Sequence, residues 1–126
     1  MLAKLLSIPK SSKGQQRQAN QYRDLIRAEA VIGGQIFGDL PEGHRREFFC
    51  LDEHTWIWHE EWVDMIGRRN IRTTRYDVRP NAILKAQDGA GYQALTEAEA
   101  RNFVAAVRIY KERVLKELYH VDPKSV

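Results

Sequence analysis

The chain has 126 residues, 43% of them apolar and 29% charged, with a formal net charge of +3. That is the size and balance of one soluble domain with a single core. No apolar run approaches the ~20 residues that span a bilayer. Cys50, the single cysteine, cannot form an internal disulfide, so a reducing compartment, the cytoplasm, is the expected location.

Residues 1–15 read as a flexible basic tail. Lys4, Lys10, Lys13, Arg17 and Arg23 precede the first acid, Asp24, and Pro9, Ser11, Ser12 and Gly14 break up the pattern. The opening Met-Leu-Ala-Lys-Leu-Leu-Ser-Ile-Pro has neither the length nor the small-residue cleavage site of a secretory signal. Leu2, Leu5, Leu6 and Ile8 can form one apolar turn, too short to be stable alone. A sharper reading of the tail is weak contact with anionic lipid or nucleic acid.

A single α+β domain is expected over residues 16–120, with residues 121–126 as a C-terminal tail. From Gln16 to Phe37, Tyr22, Leu25, Ile26, Ala30, Ile32 and Ile36 recur at helical spacing. Gly33-Gly34 either stops this helix or lets another element approach closely. Gly38, Pro41 and Gly43 mark a loop.

Short extended segments follow at Arg46–Leu51, Thr55–Val63, Arg69–Arg79, Ala82–Ala86 and Tyr92–Leu95. Asp64-Met-Ile-Gly67 reads as a type I turn with Gly67 in the left-handed position. Thr96-Glu-Ala-Glu99 is a capping box, and Phe103, Val107, Tyr110, Val114 and Leu118 form the apolar stripe of a C-terminal helix. The fold class is therefore an N-terminal helix, an antiparallel meander of four to five strands, and a C-terminal helix on the sheet.

If Asp64 opposes Arg68, the pairing continues as Trp62–Asn70, Glu60–Arg72, Trp58–Thr74 and Trp56–Tyr76. One face then carries Trp56, Trp58, Trp62, Tyr76 and Val78, and is expected to be the core beneath the helices. A stacking platform for bases or sugars is the alternative. Glu60 and Arg72 would oppose each other within that face as an ion pair, because a charge in apolar surroundings needs a partner. Any residual cleft is expected beside Trp62 and Glu60, lined by Trp58, Glu60, Trp62, Arg72 and Tyr76.

The opposite face would hold Ile57, His59, Glu61, Ile71, Thr73 and Arg75. His59 and Glu61 share that face, but two ligands do not make a closed metal site, and no metal or other cofactor is expected. Cys50 lies in an apolar strand and reads as inert. Arg69, Arg75 and Arg79, with Lys85 on the next strand, are candidates to track the phosphates of a nucleic acid. Glu61 and Asp77 on the same face would dilute that potential. No catalytic residue is assigned.

The segments Gly-His-Arg-Arg-Glu-Phe-Phe-Cys-Leu-Asp-Glu-His-Thr-Trp-Ile-Trp-His-Glu-Glu-Trp and Thr-Thr-Arg-Tyr-Asp-Val-Arg-Pro-Asn resemble small proteins of the host-dependent candidate-phylum bacteria, notably the Saccharibacteria. The resemblance spans roughly Ile32 to Tyr119. It implies a bacterial source; that family has no assigned activity, so no catalytic residue carries over.

Three functions remain open on these grounds. The first is a non-catalytic interaction or adaptor module with a protein partner or a second copy of itself. The second is nucleic-acid binding through the arginine-bearing face and tail. The third is small-molecule binding between helix and sheet.

Overall fold

A computed structural model describes residues 12–125. Helix α1 (Ser12–Gln35) precedes strands β1 (Arg45–Cys50), β2 (Thr55–Val63), β3 (Arg69–Val78), β4 (Ile83–Gln87) and β5 (Gln93–Ala94). Helix α2 (Glu97–Glu117) and a short helical turn, Pro123–Ser125, complete the chain. The strands follow one another across a single sheet in the order β1-β2-β3-β4-β5, each neighbouring pair antiparallel. The fold is α+β, as the sequence implies, and no described helix is long and apolar enough to cross a membrane.

α1 begins at Ser12, earlier than the apolar stripe suggests, so residues 12–15 are helical. Lys, Gln and Arg propagate a helix well without burying anything, and most of residues 13–20 are exposed. The rest of the expected tail, residues 1–11, lies outside the described residues.

The β2–β3 register matches the expectation pair for pair: Trp62↔Asn70, Glu60↔Arg72, Trp58↔Thr74 and Trp56↔Tyr76. Its anchor is the turn. Asp64 N–H donates to the Arg68 carbonyl at 2.9 Å, Gly67 N–H donates to the Asp64 carbonyl at 3.0 Å, and Gly67 sits at φ +80°. α2 starts at the expected capping box, with Thr96 accepting from the Glu99 N–H and Glu99 accepting from the Thr96 N–H.

α2 covers the tryptophan face. Phe48, Trp56, Phe103, Ala106, Tyr110 and Val114 form the buried centre, and Trp58, Tyr76, Val78 and Ile83 pack around it. The rings of Trp56 and Tyr110 meet at 5.0 Å and those of Tyr76 and Phe103 at 4.8 Å. Each buried aromatic removes roughly 150–250 Å² from water, on the order of 4–6 kcal/mol at ~25 cal/mol per Å².

α1 lies against β1, and Gly33-Gly34 shows why two glycines stand there. A Cβ on Gly33 would fall 1.8 Å from the Phe48 carbonyl oxygen, and one on Gly34 would fall 2.0 Å from that of Arg46. The pair is a packing point at which the helix meets the strand backbone directly. It closes the outer edge of β1, a row of main-chain groups that would otherwise invite another strand. At its end α1 also meets α2, where the Arg113 guanidinium donates to the Gln35 side chain at 3.0 Å.

Candidate functional site

Between α2 and the sheet lies a cleft of about 180 Å³, with Phe37, Phe48, Trp58, Tyr76 and Phe103 among its walls. Of the residues expected to line a cleft, Trp58 and Tyr76 stand in its wall. Glu60, Trp62 and Arg72 do not. Phe37, in the loop after α1, packs edge-on against Trp58 at 4.2 Å and closes that end. The row containing Glu60 is thereby left farther along the sheet.

At the rim, Lys85 of β4 donates to Glu99 of α2. Lys85 is on the strand adjacent to the arginines but not on their face: it stands opposite Tyr76, on the aromatic side. Its face depends on the parity of the turn at Arg79–Ala82, where Arg79 N–H donates to the Ala82 carbonyl and sets Val78 against Ile83. The Lys85 hydrogen bond holds the Glu99 carboxyl below its usual range, and burial pushes the Tyr76 hydroxyl up. Neither group is tuned toward proton transfer near neutrality.

Glu60 lies directly between Arg46 and Arg72 across three strands, yet forms no ion pair with either. The Arg72 guanidinium lies 5.4 Å from the Trp62 ring centre, and that of Arg46 lies 5.3 Å from Trp58 and 5.7 Å from Phe37. The expected Glu60–Arg72 ion pair is replaced by cation–π contact. Diagonal cross-strand neighbours are within reach of long side chains, and the exposed Arg72 guanidinium gains a ring face at little desolvation cost. Arg46, by contrast, gains its ring faces with Nε and Nη1 buried without a hydrogen-bond partner among the described residues. Glu60 keeps partial exposure and so needs no buried partner.

On the opposite face Glu61 gathers the charges. It accepts from Arg69 at 2.7 Å and lies 3.6 Å from Arg45 and 3.8 Å from His59. The Arg69 hydrogen bond is the main reason its carboxyl sits below the usual range. His59 is tied through Nδ1 to the Thr73 hydroxyl at 2.8 Å, and Arg79 pairs with Asp77 at 3.0 Å. Among the candidate phosphate contacts on this face, Arg69 and Arg79 are thus committed to carboxylates, and Arg75 points outward, exposed. Among the described residues no three His, Cys, Asp or Glu side chains converge as a metal would require. The Cys50 thiol donates to the Asp52 carbonyl at 3.0 Å, and burial pushes its pKa up, away from thiolate chemistry.

Two features escape the sequence reading. The first is the β2–β3 tip. Met65 is fully exposed and Ile66 is 72% exposed, with Val63 and Ile71 about half exposed behind them. Asp64 fixes the turn: Oδ1 accepts from the N–H of Ile66 at 3.1 Å and of Arg68 at 2.9 Å, and Oδ2 accepts from the Asn70 amide at 3.2 Å. The available signal was two large apolar residues at the centre of a tight turn, where no core can reach them.

The second is Glu29. It lies on the buried side of α1 at 1% exposure, and its Oε1 has no hydrogen-bond partner among the described residues. Burial is the leading cause of its raised pKa. The buried Tyr119 hydroxyl is pushed up to about 12 by burial, then by the charge of the neighbouring Glu29 and its interaction with that carboxyl. An acid three residues after Ile26 and one before Ala30, within the apolar stripe, was the clue.

Comparison with protein-family models, curated proteins and solved structures finds no match to this chain.

Proposed function

We propose that this protein is a non-catalytic interaction module that docks through its β2–β3 hairpin. The observation that carries the reading is the tip: a fully exposed Met65 beside a 72% exposed Ile66 on a turn held by three hydrogen bonds to one carboxylate. Single exposed apolar residues are ordinary. Here four exposed apolar residues, Val63, Met65, Ile66 and Ile71, gather at the end of one hairpin, the concentration that marks a contact surface. Because the turn is already ordered, docking sacrifices little backbone entropy.

The cleft supports catalysis poorly, since its ionisable groups, Glu99 and Tyr76, are held away from neutrality in opposite directions. A nucleic-acid function is disfavoured by the carboxylates that already hold Arg69 and Arg79, and bare Met and Ile side chains add nothing to phosphate binding.

Site-specific photocrosslinking tests the reading in the cells that make the protein. A photoreactive amino acid replaces Met65 in one variant and Val104, 48% exposed on α2, in another. Discrete adducts, to protein or lipid, are expected from position 65 and not from 104. Equal background labelling at both positions would remove the hairpin from consideration.

A further inference from the structure

We infer that the hairpin tip inserts into the surface of an anionic phospholipid bilayer. This rests on the hairpin being the docking element, and it names the occupant.

The apex is convex. Met65 and Ile66 project from a two-stranded ribbon and line none of the clefts described among the other elements, so a folded partner would have to supply a matching socket. A bilayer interface is fluid and accepts a small apolar wedge without shape complementarity. Val63 and Ile71, 49% and 55% exposed on the two arms, continue the apolar surface just behind the apex.

The flanking charge suits an anionic headgroup layer. From Glu60 to its cross-strand partner Arg72 the hairpin holds three arginines, Arg68, Arg69 and Arg72, all exposed, and three acids, Glu60, Glu61 and Asp64, all only partly exposed. Asp64 accepts from three neutral donors and stays ionised, its carboxylate turned toward the turn's own N–H groups. Arg69 and, one strand away, Arg45 are engaged by Glu61, so the attraction falls chiefly to Arg68 and Arg72, which are exposed and pair with no carboxylate among the described residues. Arginines near such a surface are attracted by its negative potential, an attraction that falls off within a Debye length.

Trp62 completes the pattern. It lies on the aromatic side of β2 at the base of the tip, partly exposed, with the Arg72 guanidinium against its ring. At about 3.4 Å per strand residue it stands roughly 10 Å behind the apex. An apex reaching ~5–10 Å into the headgroup–acyl boundary brings the indole to the interfacial depth that tryptophan prefers.

Vesicle flotation with the full chain decides the matter. The probes are vesicles of phosphatidylcholine alone and of phosphatidylcholine mixed with phosphatidylserine. The protein should float with the mixed vesicles and not the neutral ones, and salt should weaken the binding. Met65→Asp/Ile66→Asp and Arg68→Glu/Arg69→Glu should each reduce partitioning at least about tenfold. A Met65→Trp variant, which keeps the tip apolar, should stay bound, and its emission should shift to the blue and be quenched by lipids brominated in the acyl chain. Absence of flotation, equal flotation with neutral vesicles, or flotation undiminished by Met65→Asp/Ile66→Asp would each overturn the inference. Crosslinks from position 65 to a protein, with no vesicle binding, would sink the lipid occupant and leave the docking hairpin standing; no adduct at position 65 would sink both.

Discussion

Asp64 and Glu29 are carboxyls moved in opposite directions by their surroundings, and they leave opposite marks on stability. The Arg68 N–H, ahead of the other donors, holds Asp64 below its usual range. An acid with a depressed folded pKa contributes stability above its unfolded pKa, near 4, and loses it as pH falls through the folded value. Asp64→Ala should therefore lower the melting temperature at neutral pH, with a deficit that shrinks as the solution is acidified. Glu29 is the reverse: burial raises its pKa, so the folded state favours the protonated acid. Its contribution is complete below the unfolded pKa and declines as pH rises through the folded one. Glu29→Gln, which keeps the shape and removes the charge, should raise the melting temperature at pH 7 and change it little near pH 4. Thermal melts across that range check both; an unchanged melt at pH 7 for Glu29→Gln would mean that the buried carboxylate has found a cation.

Among the elements, α1 has the least tolerance. Alanine replacing glycine inside a helix ordinarily gains about 1 kcal/mol. Gly33→Ala should instead lose about 2–3 kcal/mol, because the new methyl meets the Phe48 carbonyl and helix and strand must part. Urea denaturation reads the sign directly. The double glycine was visible in the sequence, but periodicity alone could not distinguish a helix end from a packing point; that choice depends on a strand whose position the helix pattern does not contain. The β2–β3 register was legible for the opposite reason. Asp64 and Gly67 fix a turn of known geometry, and every cross-strand pair then follows by counting. Counting locates side chains on a face without saying what they touch, so Arg72 was matched with Glu60 when the nearer gain was the Trp62 ring.

Charge distribution belongs to the molecule as a whole. A net charge of +3 invites a polyanion, but the exposed sheet face binds much of its own positive charge: Glu61 holds Arg69 and stands near Arg45, while Asp77 holds Arg79. Labelled short RNA and DNA should therefore show no micromolar binding at physiological salt, and Arg75→Ala should leave the titration unchanged. Tight, steeply salt-dependent binding that Arg75→Ala weakens would restore the arginine face as a phosphate track. The overall architecture was readable because helix stripe, capping box and turn residues agreed with one another. The site was less so, since cleft and tip arise where elements of unequal length fail to cover each other.

That inequality makes the hairpin's reach adjustable. β3 has ten residues and β4 five, and β4 pairing stops at Thr74, while β1 pairing stops at Glu61. Everything beyond those two points is overhang, gained at about 3.4 Å per residue. Adding a residue pair to β2 and β3 would push the apex outward on an unchanged base, and extending β4 alongside β3 would draw support up to it. The turn, the core and the glycine seam need not change in either case. The protein thus separates the part that measures distance from the part that makes contact, and each can be altered without redesigning the other.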